Sequence, residues 1–230
     1  MIGIIGAMDE EVAALKESME TEAAVERAGM TFFRGKLGGR EVTVVRSGIG
    51  KVNAGICAQI LVSEFQADVL INTGIAGSLD ARINIGDMVI STDALYHDMD
   101  AVAFGYPLGE VPRMGVLSFP ADERLIRLAA EANAEANPDI NTFTGRVVSG
   151  DQFVASDEVK EKIAENFGGL CTEMEGAAIA HAAYLNKVSC VIIRAISDKA
   201  DGSASEDYPA FEKKAIEHSV RLVKNLTARI

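Results

Sequence analysis

Apolar residues recur along this chain with two different periods, and their alternation lays out the fold. Ile2–Ile5 is a continuous apolar run closed by Gly6. Met8, Val12, Leu15 and Met19 then recur at helical spacing with charged residues between them. Met1–Met19 therefore reads as buried strand, turn and helix. Thr31–Leu37, the turn Gly38–Gly39 and Glu41–Arg46 read as a hairpin. Beyond the turn Ser47–Gly50, Val52, Ile56 and Ile60 mark a helix. Asp68–Asn72 is a second buried strand that runs into the loop Thr73–Gly77, and Gly86–Leu95 is a further strand. The pattern then predicts a helix over Ala121–Ala134, a strand over Phe143–Ser149, a helix near Asp157–Asn166, an Ala-rich helix over Met174–Tyr184 and a strand over Val188–Ile196. A closing helix, Tyr208–Leu226, carries Phe211, Ala215, Ile216, Val220, Leu222, Val223 and Leu226 on its inner face. Only Tyr96–Phe119 lacks a period. It carries Pro107, Gly109 and Pro112, and structureless stretches of this length are often functional.

Strands that are continuous apolar runs, alternating with helices, indicate a mostly parallel sheet covered on both faces. With no linker, repeat or low-complexity segment, the expectation is a single α/β domain over residues 1–230. It has three layers, α/β/α, around a mostly parallel, mixed central sheet. The formal net charge of −12 disfavours nucleic acid or an anionic membrane as partner, since both are polyanions. Cys57, Cys171 and Cys190 are odd in number, far apart and set among apolar residues, so neither a disulfide framework nor a zinc site is indicated. The run Ile2–Ala7 is too short for a secretory signal, and no apolar run approaches the roughly 18–20 residues of a membrane span. A cytoplasmic protein is expected.

In sheets of this kind ligands bind beyond the carboxyl ends of the strands. Ala7–Glu11, Ser47–Gly50, Thr73–Gly77, Ser149–Val154, Glu173–Glu175 and Arg194–Asp198 fall there. Glu11 lies in the first helical turn after the first strand, where Asp9 and Glu10 would suit the helix dipole equally well. Glu173 and Glu175 flank Met174, and a capping role for one of them is an alternative to a site role. Asp198 follows a buried strand, where an acid often caps the next helix. Spacing alone leaves both readings of these acids open. Gly48, Gly50, Gly74 and Gly77 permit close approach of backbone to a ligand. Several chemistries are disfavoured. S-G-I-G-K lacks phosphate-loop spacing, no G-x-G-x-x-G follows the first strand, and neither H-E-x-x-H nor G-x-S-x-G occurs.

Seven motifs occur in order: G-I-I-G-A-M-D-E-E-V (Gly3–Val12), S-G-I-G-K (Ser47–Lys51), Y-H-D (Tyr96–Asp98), A-F-G-Y (Ala103–Tyr106), V-S-G-D-Q-F (Val148–Phe153), E-M-E-G-A-A (Glu173–Ala178) and R-A-I-S-D (Arg194–Asp198). Together they resemble the 5′-methylthioadenosine/S-adenosylhomocysteine nucleosidases of the purine nucleoside phosphorylase and uridine phosphorylase superfamily, over essentially the whole chain. The resemblance implies a purine nucleoside phosphorylase-like fold. It also implies hydrolysis of the adenine–ribose bond of methylthioadenosine and adenosylhomocysteine, and related 5′-substituted adenosines such as 5′-deoxyadenosine or aminodeoxyfutalosine share the base and ribose contacts. The resemblance further implies a role in methionine salvage, with no metal and no cofactor. By position, Glu11 would be the general base that activates water and Asp198 the acid that protonates N7 of adenine, with Ser197 holding Asp198. Glu175 would bind the ribose hydroxyls with Arg194 as its partner, and Met174 would lie against the sugar. Phe153 would stack on adenine, the backbone of Val154 would read the base edge, and Ala76 and Gly77 would line ribose and base. Met8, Ile49 and Tyr208 would seat the 5′-thioether. Phe104, Tyr106 and Pro112 would reach into a neighbouring subunit's site, so a homodimer is implied.

The residue types suit that chemistry. Adenine leaves poorly as an anion, so a carboxylic acid that protonates it lowers the barrier, and the ribose becomes oxocarbenium-like as in glycoside hydrolysis. Two positions depart from the family pattern: Ile75 stands where a small hydroxyl residue is common, and Tyr208 where Phe is usual. Two other readings compete. A phosphorylase would need a cationic seat for phosphate, for which Arg46 and Arg34 are available, while Glu11 would repel the anion. A noncatalytic nucleoside-binding module would not need the three acids together.

Overall fold

A computed structural model describes all 230 residues. Strand β1 (Ile2–Gly6) is buried along its whole length, and helix α1 (Asp9–Ser18) follows it directly. Strands β2 (Glu20–Arg27), β3 (Met30–Leu37) and β4 (Arg40–Arg46) form an antiparallel meander, and β4 returns parallel to β1. Helix α2 (Lys51–Ser63) leads to β5 (Val69–Ser78), which lies parallel to β1 on its other side. Then come β6 (Met88–Tyr96), the two-residue β7 (Phe119–Pro120), α3 (Glu123–Ala136), β8 (Thr142–Ser149), α4 (Asp157–Phe167) and β9 (Cys171–Glu173). The chain ends with α5 (Gly176–Asn186), β10 (Ser189–Asp198) and α6 (Ala204–Arg229).

The sheet is mixed. β4, β1, β5 and β10 run parallel at its centre, and β6, β8 and β9 are parallel to one another. Because β10 pairs with both β5 and β6 while β9 pairs with β5, the strands β5, β10, β6, β8 and β9 close into a ring. β1, β4, β3 and β2 extend from β5 as an open wing, and β7 pairs with β6. α2 and α5 cover one face over a core that includes Ala54, Cys57, Leu61, Ala177 and Ile179. α1, α3 and α6 cover the other over Val12, Leu15, Leu125, Leu222 and Leu226. These are the three layers expected. No helix is long and apolar enough to cross a membrane.

Several elements differ from the sequence reading. β2 is exposed along nearly its whole length, so it shows no buried face and no alternation. β9 is too short for a period. The Ala-rich helix starts at Gly176 rather than Met174, so Glu173 ends β9 and Met174 and Glu175 form the bend between strand and helix. α6 begins four residues before Tyr208, and Pro209 sits inside it. That added turn brings Ser205 and Tyr208 over the carboxyl ends of the strands. Within Tyr96–Phe119 a single 3-10 turn forms, at Val102–Phe104.

Candidate active site

A cavity of about 500 Å³ opens where β1, β5 and β10 end. That volume suits a small-molecule ligand. Glu11, Glu175 and Asp198 all line it.

Three adjacent acids open α1, and the structure separates them. Asp9 and Glu10 are exposed, and Asp9 faces Lys16 at 3.7 Å and Arg46 at 3.5 Å. Glu11 is 4 % exposed and turns back toward the sheet. Its Oε2 accepts from the backbone N–H of Ala7 at 2.7 Å and of Met8 at 3.0 Å, and its Oε1 from that of Ile75 at 3.1 Å. Burial raises its pKa above the ordinary carboxylate value against the opposing pull of Arg194 and these amides. The approach to β5 requires Gly74, where a Cβ would collide with Glu11 Oε1 and Arg194 Nη1.

The two glutamates around Met174 also divide their work. Glu173 takes the helix-end role: its carboxylate accepts from the backbone N–H of Gly176 at 2.8 and 3.0 Å and of Glu175 at 3.1 Å, and from the Ser149 hydroxyl. Glu175 is left to face the cavity, and its Oε1 accepts from the Gly50 N–H at 2.8 Å. Gly50 has φ 96°, a conformation that side chains rarely adopt, and this turns its N–H toward the carboxylate. Burial, reinforced by the charge of Glu173, raises the Glu175 pKa to about 7.

Arg194 is paired with Glu175 at 3.9 Å, as expected of it, but does not line the cavity. It is fully buried beneath the cavity floor rather than in its wall, and it pairs with Glu173. Its Nη2 also donates to Asn72 Oδ1 at 2.5 Å, and Glu175 Oε2 lies 3.9 Å away. The reason is placement on β10. Arg194 pairs in register with Gly74 of β5, two positions further from the strand's end than Ile196, so its side chain meets Glu173 first.

Asp198 sits at a register shift where β10 ends. Its Oδ1 accepts from the Ala200 N–H at 2.8 Å and its Oδ2 from the Ser197 hydroxyl at 2.8 Å. Burial raises its pKa, and Asp207 and Asp201 add to the rise. Ala200, a non-glycine residue at φ 53°, holds the loop that presents this N–H.

Met8, Ile49, Ala76, Gly77, Phe153, Val154, Met174, Ser197 and Tyr208, all singled out in sequence, line the same cavity. Phe153 and Tyr208 meet edge to face, with centroids 5.8 Å apart. Phe104, Tyr106 and Pro112 lie outside it; Phe104 is 84 % exposed. Ala7, Ile75, Gln152 and Glu173, from the strand-end segments marked in sequence, complete the lining together with Thr172 and Ser205, which were not picked out. Thr172 faces the cavity because β9 runs antiparallel to the end of β5, with Thr172 opposite Gly77. Nothing local in the sequence signals that pairing. No Lys, Arg or His lines the cavity. Arg46, a possible anion seat, is exposed beside Asp9, and Arg34 is exposed outside the cavity.

Comparison with known proteins agrees with this geometry. Residues 1–228 match the model of the phosphorylase superfamily. The chain is 42 % identical, over the full length of both proteins, to a 5′-methylthioadenosine/S-adenosylhomocysteine nucleosidase of Staphylococcus aureus. Its structure is similar to that of the Neisseria meningitidis nucleosidase of the same name in complex with methylthio-immucillin-A, with TM-score 0.96, 38 % identity and coverage of 100 % of this chain and 99 % of the other. It is also similar to the futalosine hydrolase of Helicobacter pylori, with TM-score 0.94, 33 % identity and coverage of 100 % and 97 %.

Proposed function

This chain belongs to the phosphorylase superfamily and, within it, to the 5′-methylthioadenosine/S-adenosylhomocysteine nucleosidases, and from that premise we propose how its residues perform the reaction. The activity is hydrolysis of the adenine–ribose N-glycosidic bond of methylthioadenosine and adenosylhomocysteine, releasing adenine. The observation that carries the residue assignment is one cavity lined by Glu11, Glu175 and Asp198 and by no cationic side chain.

Adenine seats against Phe153 and Val154, with N7 toward Asp198. A carboxyl whose pKa is raised by burial keeps its proton nearer neutrality, so Asp198 donates it to the leaving base. As the bond lengthens, positive charge grows on the ribose, and the carboxylates of Glu11 and Glu175 face it. Glu175, held by the Gly50 N–H, binds the ribose hydroxyls. Glu11 takes the proton of the attacking water, and its raised pKa makes it a stronger base than an ordinary carboxylate. Three backbone N–H groups hold its carboxylate in place. Arg194 positions these groups from beneath the floor rather than touching substrate.

Hydrolysis is favoured over phosphorolysis because a phosphate dianion in this cavity would meet carboxylates and no cation. Adenine release from methylthioadenosine that is unchanged when phosphate is removed supports this reading; strict dependence on phosphate overturns it.

We also infer a homodimer. Val52 and Ile56 on α2, Leu185 on α5, and Val102 and Phe104 are exposed apolar side chains. Val52 and Leu185, with Met99 and Val111, line a second cavity of about 480 Å³ between α2 and α5. Apolar surface gathered in this way marks an interaction face. A second copy seated there brings Phe104, Tyr106 and Pro112 to its neighbour's site. Three buried free cysteines fit a reducing compartment, the cytoplasm.

A further inference from the structure

The outer end of the active-site cavity carries a polar feature that the adenine and ribose contacts do not use. Tyr208 projects into the cavity from the first turns of α6, among Met8, Ile49 and Phe153. Its hydroxyl lies 3.0 Å from Glu212 Oε1, one helical turn along α6, and 3.4 Å from the Met8 sulfur. A hydroxyl has one proton to give, and a carboxylate is a far better acceptor than a thioether. The proton therefore goes to Glu212, and the hydroxyl offers the cavity only its lone pairs.

Glu212 makes no ion pair, and its charge stands directly behind that acceptor. Burial first, and then the negative charges of Glu212, Glu11 and Glu10, push the pKa of the Tyr208 hydroxyl up. Of the basic groups on neighbouring elements, Arg46 and Lys16 face Asp9, and Lys213 and Lys214, which follow Glu212 on α6, are exposed. The seat expected to hold the 5′-thioether thus ends in a wall that accepts hydrogen bonds and repels anions.

We propose that Tyr208, with its hydroxyl held by Glu212, makes the 5′ end of this site selective for thioether chains that carry an ammonium group, the zwitterionic homocysteine tail among them, and selective against chains whose only charge is a carboxylate. The inference rests on the nucleosidase reading and adds the charge class of the 5′ group. Methyl and other short neutral thioethers meet only Met8, Ile49 and the Tyr208 ring. A chain ending in an ammonium reaches the hydroxyl and the field of Glu212, and a carboxylate of the same length meets two acceptors and no donor.

The test compares kcat/KM for three 5′-thioethers of adenosine with chains of equal length: propylthio, aminoethylthio and carboxymethylthio. The wild-type protein is expected to prefer the ammonium over the carboxylate by about tenfold, a preference that shrinks as salt is added. Glu212→Gln is expected to bring that ratio near one and to leave the propylthio substrate unchanged. Tyr208→Phe, a second and independent variant, is expected to narrow the ratio in the same direction. A wild-type ratio near one, or a ratio that both variants leave intact, overturns the proposal. If the wild-type protein fails to cleave the neutral propylthio substrate and methylthioadenosine as well, the nucleosidase reading falls and this inference falls with it.

Discussion

Arg194 forms its ion pair with Glu173 and lies 3.9 Å from the cavity-facing Glu175. One buried guanidinium thus answers the charges of Glu173, Glu11 and Glu175. Removing one member of a buried pair costs about 3–5 kcal/mol, because the partner charge is left without compensation. Arg194→Met is expected to lose stability of that order in denaturant unfolding. It should also raise the Glu11 pKa further, since Arg194 is the main influence lowering it. The acidic limb of kcat/KM should then move to higher pH. Arg194→Lys keeps the charge but not the planar guanidinium whose Nη2 donates to both Asn72 and Glu173, and should fall between the two. Unchanged stability in Arg194→Met would count against the positioning role.

Gly74 tests the approach of α1 to β5 directly. Its φ lies outside the left-handed region, so an alanine is compatible with the backbone, but the added Cβ would meet Glu11 Oε1 and Arg194 Nη1. Gly74→Ala is expected to displace Glu11 by a fraction of an ångström to an ångström and lower kcat by about 10²-fold. Stability should fall by only about 1–3 kcal/mol. Full activity in a folded variant would show that the position of the Glu11 carboxylate is not critical.

The parts of this molecule legible in sequence are those whose signal is local. β1, β10 and the Val69–Asn72 part of β5 are buried on both sides and read as apolar runs, whereas Thr73–Gly77, expected as a loop, continues β5. α6 shows its inner face at helical spacing. β2 escaped because both its faces meet solvent. Within the site, Asp9, Glu10 and Glu11 are equivalent by spacing. What distinguishes Glu11 is the N–H of Ile75, sixty-four residues away and brought near by β1–β5 pairing. In the same way, two glutamates flanking Met174 were visible, but their division into a helix-end group and a cavity group depends on Gly176, Gly50 and Arg194. The ordered motifs located the site, and the long-range pairings sorted its members.

Asp198 is expected to limit the reaction at high pH. Its raised pKa keeps it protonated above the ordinary carboxylate range, and its loss of that proton forms the basic limb of kcat/KM. Glu11, also raised, must be ionised to act as base, and forms the acidic limb. Asp198→Asn should lower kcat by about 10²–10⁴-fold while ligand affinity changes little, and should abolish the basic limb while sparing the acidic one. Near-normal turnover would refute the assignment.

Glu175 links function to stability with a definite sign. Its carboxyl titrates at about 7 in the folded chain against an ordinary value of 4.5. Between those values the native state binds more protons than the unfolded chain, so stability falls as pH rises from about 4.5 to about 7 and levels off above. Glu175→Gln removes that loss and keeps an oxygen for the Gly50 N–H. The variant should be more stable than the parent at pH 8 by roughly 2 kcal/mol, with the difference vanishing toward pH 4.5, while its turnover drops sharply. A stability difference independent of pH would rule out this account of the burial of Glu175.

The proposed dimer makes a prediction that separates folding from assembly. Val52 is 72 % exposed on α2 and Leu185 60 % exposed on α5, so neither supports the fold of a single chain. Placing a charge at either leaves a monomer's core untouched but sets an unpaired ion into the apolar face that a second copy would cover. Sedimentation should give the wild-type protein twice the 24.4 kDa chain mass. The double variant Val52→Glu, Leu185→Glu should sediment as one chain with an unchanged unfolding transition at equal secondary structure content. Its KM for methylthioadenosine should rise, because Phe104 no longer reaches the neighbouring site. Phe104→Ala should raise KM in the same way and keep the dimer mass. A wild-type protein that sediments as a single chain at micromolar concentration, with full activity, would show that each site is complete within its own chain.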